Sequence, residues 1–149
     1  MKPSDTRINA NPALVGAVIV AALLQIVTTS LPALGIGDPI EQMTAIRRGA
    51  PEAAIVIDAN QAWTPQQAIA FANGVEDQGI AWFEEPVNAD NKRGCAEVRA
   101  STDIPISAGE SEFTRFAFRD LALLDAVDIF QPDPAICGGI TECMRIAAL

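Results

Sequence analysis

Four short apolar runs in this chain each lead into a carboxylate, and they recur with the period of one strand–helix unit. Asp58 closes IVID, Glu84 closes AWFE, Glu110 follows IPISAG and Asp133 follows DIFQP. The three intervals are 26, 26 and 23 residues. Continuous apolar runs of this length read as strands buried on both faces. Between them lie segments with helical spacing and helical punctuation. Pro39–Gly49 sets Ile40, Met43, Thr44 and Ile46 near one face. Thr64 is placed to cap a helix with Pro65 in its first turn, and Ile69, Ala70, Phe71 and Val75 supply its apolar stripe until Gly79. Lys92–Ala100, Thr114–Leu124 and Thr141–Leu149 continue the series, the last with no C-cap signal before the sequence ends.

Strands alternating with amphipathic helices build βαβ units and a parallel sheet covered by helices. The predicted class is α/β. Strands are predicted at Ala54–Asp58, Ile80–Glu84, Ile104–Ala108 and Ala126–Gln131, which is about four βα units. A complete (β/α)8 barrel needs roughly 200–250 residues, and this chain has 149. No glycine-rich phosphate loop follows any strand, and Gly35-Ile36-Gly37 is too short to act as one.

Parallel strands with this repeat bring Asp58, Glu84, Glu110 and Asp133 to one edge of the sheet, the C-terminal edge. Neighbouring strands stand about 4.8 Å apart, so acids on consecutive strand ends are expected to converge. One acid at a strand end commonly caps the next helix or is solvated. Four in register, three of them at equal spacing, favour a shared ligand. A hard divalent cation with oxygen donors, such as Mg2+, is the simplest relief for like charges brought together. This edge is also where barrels and open α/β sheets carry their active sites.

Composition narrows the partners. There are 10 Lys and Arg against 19 Asp and Glu, a net charge of -9, which excludes a nucleic-acid partner that needs a basic face. Histidine is absent, so no histidine base, metal ligand or Ser-His-Asp system exists in this chain. Cys95, Cys137 and Cys143 form no CxxC pair and read as small buried hydrophobes in a reducing, cytoplasmic setting.

Residues 1–37 differ from the rest. No charged residue lies between Arg7 and Asp38, and Ala13 to Val27 is nearly all apolar, with Lys2 and Arg7 ahead of it. This segment reads equally as a signal or membrane anchor and as a buried or truncation-derived stretch. Membrane contact through Ala13 to Val27, and export, are therefore alternatives to the cytoplasmic reading. Residues 38–149 form the second region, an acidic one.

The motifs in order are Asp58-Ala59-Asn60-Gln61-Ala62-Trp63, Trp82-Phe83-Glu84-Glu85-Pro86, Ile104-Pro105-Ile106-Ser107-Ala108-Gly109-Glu110, and Gln131-Pro132-Asp133 with Cys137-Gly138-Gly139-Ile140-Thr141. Together they resemble the enolase superfamily, in its mandelate racemase/muconate lactonizing enzyme branch. The resemblance covers about Asp38 to Leu149. It implies part of an enolase-type (β/α) barrel, with Mg2+ held by Asp58, Glu84 and Glu110. It implies Asn60 beside metal and substrate, and Asp133 as the acid that pairs with a base on the next strand. It also implies abstraction of the proton α to a carboxylate, by a racemase or acid-sugar dehydratase, on a small carboxylate or sugar-acid substrate. A homo-oligomer is an accompanying expectation. Asp133 stands where the lactonizing subgroup has a lysine, a departure that favours the other types.

Three departures accompany the resemblance. The capping domain has no counterpart. The Lys-x-Lys motif, expected about 30 residues before Asp58, meets Val27-Thr28-Thr29, and the only lysines are Lys2 and Lys92. The strand bearing the partner histidine is missing. The metal ligands are present and both base positions are not. The sequence is therefore expected to be an incomplete chain of such an enzyme. A non-catalytic remnant, or assembly with another chain that supplies the remaining strands, are the alternatives. Trp63 and Trp82 are expected in the core, Arg115 and Arg119 solvated or paired, and Glu112 on a solvent-facing loop.

Overall fold

The computed structural model describes residues 37–149. The membrane-contact and anchor readings for Ala13 to Val27 lie outside these residues. Among the described residues, no helix is long and apolar enough to cross a membrane.

The chain opens with α1 (Pro39–Gly49). The Asp38 carboxylate accepts from the Ile40 amide at 2.9 Å, Pro39 occupies the first turn, and Arg47 and Arg48 sit in the last turn, where cations complement the helix dipole. Strand β1 (Ile55–Asp58) follows, then α2 (Pro65–Val75). Thr64 caps α2 as expected, and Gln67 reciprocates by accepting from the Thr64 amide, completing a capping box. A short 3-10 turn (Glu76–Gln78) separates α2 from Gly79, which adopts a left-handed φ of 65°. The remaining elements are β2 (Ile80–Glu84), α3 (Lys92–Arg99), β3 (Ile106–Ala108), α4 (Thr114–Leu123), β4 (Ile129–Phe130) and α5 (Ile140–Ile146).

The four strands form one sheet in the order β1-β2-β3-β4, and every pairing is parallel. Sequential order without reversal is singly wound, the path of a barrel and not of a doubly wound sheet. Burial agrees. Ile57, Phe83 and Ile106 stand side by side across the sheet and belong to one core with Phe71, Val75, Val98, Phe118 and Leu121 from the helices. The next residues along the three strands, Asp58, Glu84 and Ser107, form the adjacent row and face away from that core. The helices thus cover one face, and the acids belong to the other. The architecture is four units of a (β/α) barrel.

Two strands are shorter than the apolar runs suggested. Pro105 has no amide proton to give the ladder, and β3 starts after it. The Asp128 carboxylate accepts from the Ile106 amide at 2.8 Å and is also held by Arg99. The Asp128 amide in turn donates to the Ile106 carbonyl at 2.8 Å, so Asp128 joins β3 through one backbone and one side-chain bond. The last helix also differs from expectation. It ends at Ile146, and the Ala147 amide donates back to the Cys143 carbonyl at 3.0 Å.

Candidate metal centre

Asp58, the last residue of β1, is the backbone partner of Glu84, the last residue of β2. Glu110 lies two residues past β3 and Asp133 three past β4, so all four acids reach the C-terminal edge. Asp58 is half-buried. Its Oδ1 accepts from the Asn60 amide at 2.7 Å, and its Oδ2 lies 3.5 Å from the Asn60 side-chain nitrogen. Burial raises the Asp58 carboxyl above the usual aspartate range, and the two Asn60 contacts oppose that rise. Glu84 is buried and accepts from the Trp82 indole at 3.2 Å. Glu110 is exposed at the rim. Its carboxyl is nevertheless raised, first by partial burial and then by the charges of Glu85, Glu84, Asp58 and Asp133. Five acids therefore share one electrostatic neighbourhood.

The expected convergence is incomplete. Among the described residues, no three Asp, Glu or Cys side chains stand close enough as placed to hold a metal ion. The reason is local. Asp58 turns to Asn60, Glu84 turns to Trp82, and like charges keep apart. Asp133 folds into its own turn, its Oδ1 accepting from the Ala135 amide at 2.7 Å.

Gly109 sets the direction of Glu110. Its φ is 138°, and a Cβ there would lie 2.6 Å from a ring carbon of Phe118 and 3.1 Å from the Gln131 nitrogen. Only glycine lets the backbone pass between α4 and β4 at this point.

The remaining expectations are met at Trp63, Arg115 and Arg119 and not at Trp82 and Glu112. Trp63 packs in the core, its ring centroid 4.7 Å from Phe71 and 5.7 Å from Phe83. Trp82 does not join it: it points to the acid-bearing face and holds Glu84. Its spacing of two from Glu84 in a strand was the signal for a shared face. Glu112 is not on a solvent-facing loop. It is 8% exposed and ion-paired to Lys92, which commits the one lysine among the described residues. Arg115 and Arg119 are paired, with Glu142 and Asp120 respectively. All three cysteines are free, and burial pushes the Cys95 thiol up to about 11, which keeps it inert.

A singly wound parallel sheet with carboxylates along its C-terminal edge is the architecture of a (β/α)-barrel segment. The comparisons agree. Residues 17–149 match the family described as enolase C-terminal domain-like. The chain is 36% identical over 116 residues to the D-galactarolactone cycloisomerase of Agrobacterium fabrum, covering 77% of this chain and 31% of that enzyme. Among solved structures, the L-talarate dehydratase of a Polaromonas species, complexed with Mg and L-glucarate, gives a TM-score of 0.70 at 32% identity, over 73% of this chain and 31% of that one. A mandelate racemase/muconate lactonizing enzyme-like protein of Rubrobacter xylanophilus gives 0.70 at 41% identity, over 74% and 28%. The chain belongs to the enolase C-terminal domain-like family, in its mandelate racemase/muconate lactonizing enzyme branch. It spans 31%, 30% and 31% of three curated relatives, about a third of their length.

Proposed function

We propose that this chain carries the metal-binding rim of an enzyme acting on sugar acids, of the dehydratase or cycloisomerase type. Asp58, Glu84 and Glu110 would hold Mg2+. The observation that carries this reading is the in-register placement of Asp58 and Glu84 at adjacent strand ends, with Glu110 next along the same rim. An all-carboxylate donor set fits a hard divalent cation. The Glu110 carboxyl is raised first by burial and then by the charges of Glu85, Glu84, Asp58 and Asp133, and such a cation would offset the latter. Relatives named as acting on galactarolactone and as complexed with Mg and L-glucarate support both the metal and the substrate class.

When bound, the cation supplies a positive charge against the substrate carboxylate, making the α-proton more acidic. The protein's own residues do the rest of what can be assigned here. Asn60, in the loop after β1, would donate its side-chain amide to the substrate. Asp133 would orient a base on an adjoining strand. In a dehydration, the α-proton leaves to a base, the β-hydroxyl leaves as water after protonation, and the resulting enol tautomerises to a 2-keto acid. This sequence has no histidine, and Lys92 is engaged by Glu112, so under this reading the proton acceptor is assigned to no histidine of this sequence and not to Lys92.

Calorimetric titration of the chain with MgCl2 tests the assignment. Asp58→Asn and Glu110→Gln are each expected to abolish binding seen in the parent. Unchanged binding in either variant overturns the ligand set.

A further inference from the structure

Glu85 follows the proposed ligand Glu84 directly and is 3% exposed, yet no cation contacts it among the described residues. A buried carboxylate without a cationic partner is costly unless its hydrogen bonds are well met. Here they are met by two neighbouring loops. Gln61 Nε2 donates to both Glu85 oxygens, at 3.0 and 3.1 Å, and reaches Ser111 Oγ at 2.9 Å. Ser111 Oγ in turn donates to Glu85 Oε1 at 3.1 Å. The Gln61 backbone amide donates to the Glu85 carbonyl at 2.9 Å, and Gln61 Oε1 accepts from the Ala89 amide at 3.0 Å.

The three residues come from three different loops, each next to a proposed ligand. Gln61 lies three residues past Asp58, Glu85 one past Glu84 and Ser111 one past Glu110. Gln61 and Glu85 both hold left-handed backbone, with φ of 63° and 39°, as does Asn60 with 48°. Side chains of this kind stay in that region only where the surroundings over-determine them. Both Glu85 oxygens are engaged, which leaves Glu84 as the member of the tandem acids able to turn toward a cation.

We propose that Glu85, Gln61 and Ser111 form a positioning clamp that fixes the three rim loops and so presets the ligands Asp58, Glu84 and Glu110. This rests on the Mg2+ reading of those acids. Loss of such outer contacts typically costs about 10–100-fold in metal affinity.

The test is calorimetric titration of the full chain with MgCl2, at a temperature well below the lowest melting point in the set. Gln61→Asn keeps a residue that tolerates left-handed backbone but is too short to reach Glu85. Ser111→Ala removes a single hydroxyl from an exposed position, so the set stays decisive if the first variant misfolds. Arg47→Ala is the control for general destabilisation. Its guanidinium binds the carbonyls of Ala53, Gln78 and Gly79 at the opposite edge of the sheet. Gln61→Asn and Ser111→Ala are each expected to weaken Mg2+ about tenfold or more, and Arg47→Ala to melt earlier while binding Mg2+ within about twofold of the parent. The clamp is overturned if both rim variants bind like the parent while Asp58→Asn does not bind. It is equally overturned if Arg47→Ala weakens binding as much as they do. If the parent takes up no Mg2+, or Asp58→Asn still binds it, the metal reading itself fails and the clamp's role falls with it.

Discussion

Asp58 and Glu84 end adjacent parallel strands as backbone partners, and both face away from the helix-covered core. Strand spacing alone holds their Cα atoms about 4.8 Å apart. Among the described residues nothing cationic separates them: Asp58 takes its hydrogen bonds from Asn60, and Glu84 takes one from Trp82. The half-buried Asp58 charge is a local cost that the rest of the fold sustains. Sites built for a ligand commonly carry such a cost.

Neutralising one member should therefore stabilise the metal-free chain. Asp58→Asn keeps the acceptor for the Asn60 amide and removes a charge that burial disfavours. The expected gain is about 0.5–2 kcal/mol in urea unfolding with chelator present. With saturating MgCl2 the order should reverse, because only the parent gains from ligand binding. A variant that is less stable than the parent under chelator would show that the Asp58 charge is not a strained one.

Gly109→Ala should disturb both stability and the site. The substitution combines a φ of 138° with a Cβ 2.6 Å from the Phe118 ring, which is fully buried. Strained backbone costs about 1–3 kcal/mol and overpacking a similar amount. A loss of about 3 kcal/mol or more is expected in equilibrium unfolding, with a weakened Mg2+ titration in whatever remains folded. A loss below about 1 kcal/mol would mean that the segment relaxes freely and that Glu110 is not aimed by this glycine.

What was legible in the sequence is what local chemistry dictates. The Thr64 cap with Pro65 beside it, the strand Ile80–Glu84 and the repeat of strand-end acids all stand as read, because each depends on neighbours in the chain. The failures at Glu112 and Asp128 involve partners distant in sequence, whereas Trp82 was misread beside its own partner Glu84, two residues on. Glu112 was read as solvated because its residue type favours water, but Lys92 reaches it from 20 residues upstream. The run at Ala126–Gln131 reads as a strand, yet Asp128 spends its side chain on β3 and leaves two residues of ladder. Gln61 carried no local signal for its role, since its partners Glu85 and Ser111 lie 24 and 50 residues away.

The helix pair α4 and α5 provides a pH-dependent lock. Glu142 accepts from the Arg115 amide at 3.0 Å and from both Arg115 and Arg145 side chains. The Arg115 amide, together with the two guanidiniums, holds its carboxyl below the ordinary glutamate value of 4.5. A depressed folded-state value means that the contribution is complete above 4.5 and fades as pH falls through the folded value. Glu142→Gln should therefore lower the melting temperature at pH 7 and converge on the parent as pH falls below 4.5 and through the folded-state value. A gap between the two that is constant from pH 7 to pH 3 would remove the ionic part of this contact.

Trp82 offers a direct report on the rim. Only two tryptophans are present, and Trp63 is packed against Phe71 and Phe83 on the other face of the sheet. In a Trp63→Phe chain all tryptophan emission arises from Trp82, whose indole N–H donates to Glu84 Oε2 at 3.2 Å. If Glu84 is a Mg2+ ligand, binding draws charge from the carboxylate that faces the indole, and that hydrogen bond must weaken or realign. The emission of Trp63→Phe should then change with added MgCl2 and saturate at the dissociation constant that calorimetry gives for the same variant. In Trp63→Phe with Glu84→Gln the change should vanish. Trp82→Phe keeps an aromatic side chain of smaller size and deletes the N–H, leaving a buried carboxylate one donor short. Its Mg2+ affinity should fall by about tenfold, the loss expected when a contact that orients a ligand is removed. Emission that ignores Mg2+ while calorimetry registers binding would place the ion away from Glu84, on Asp58 and Glu110 without it.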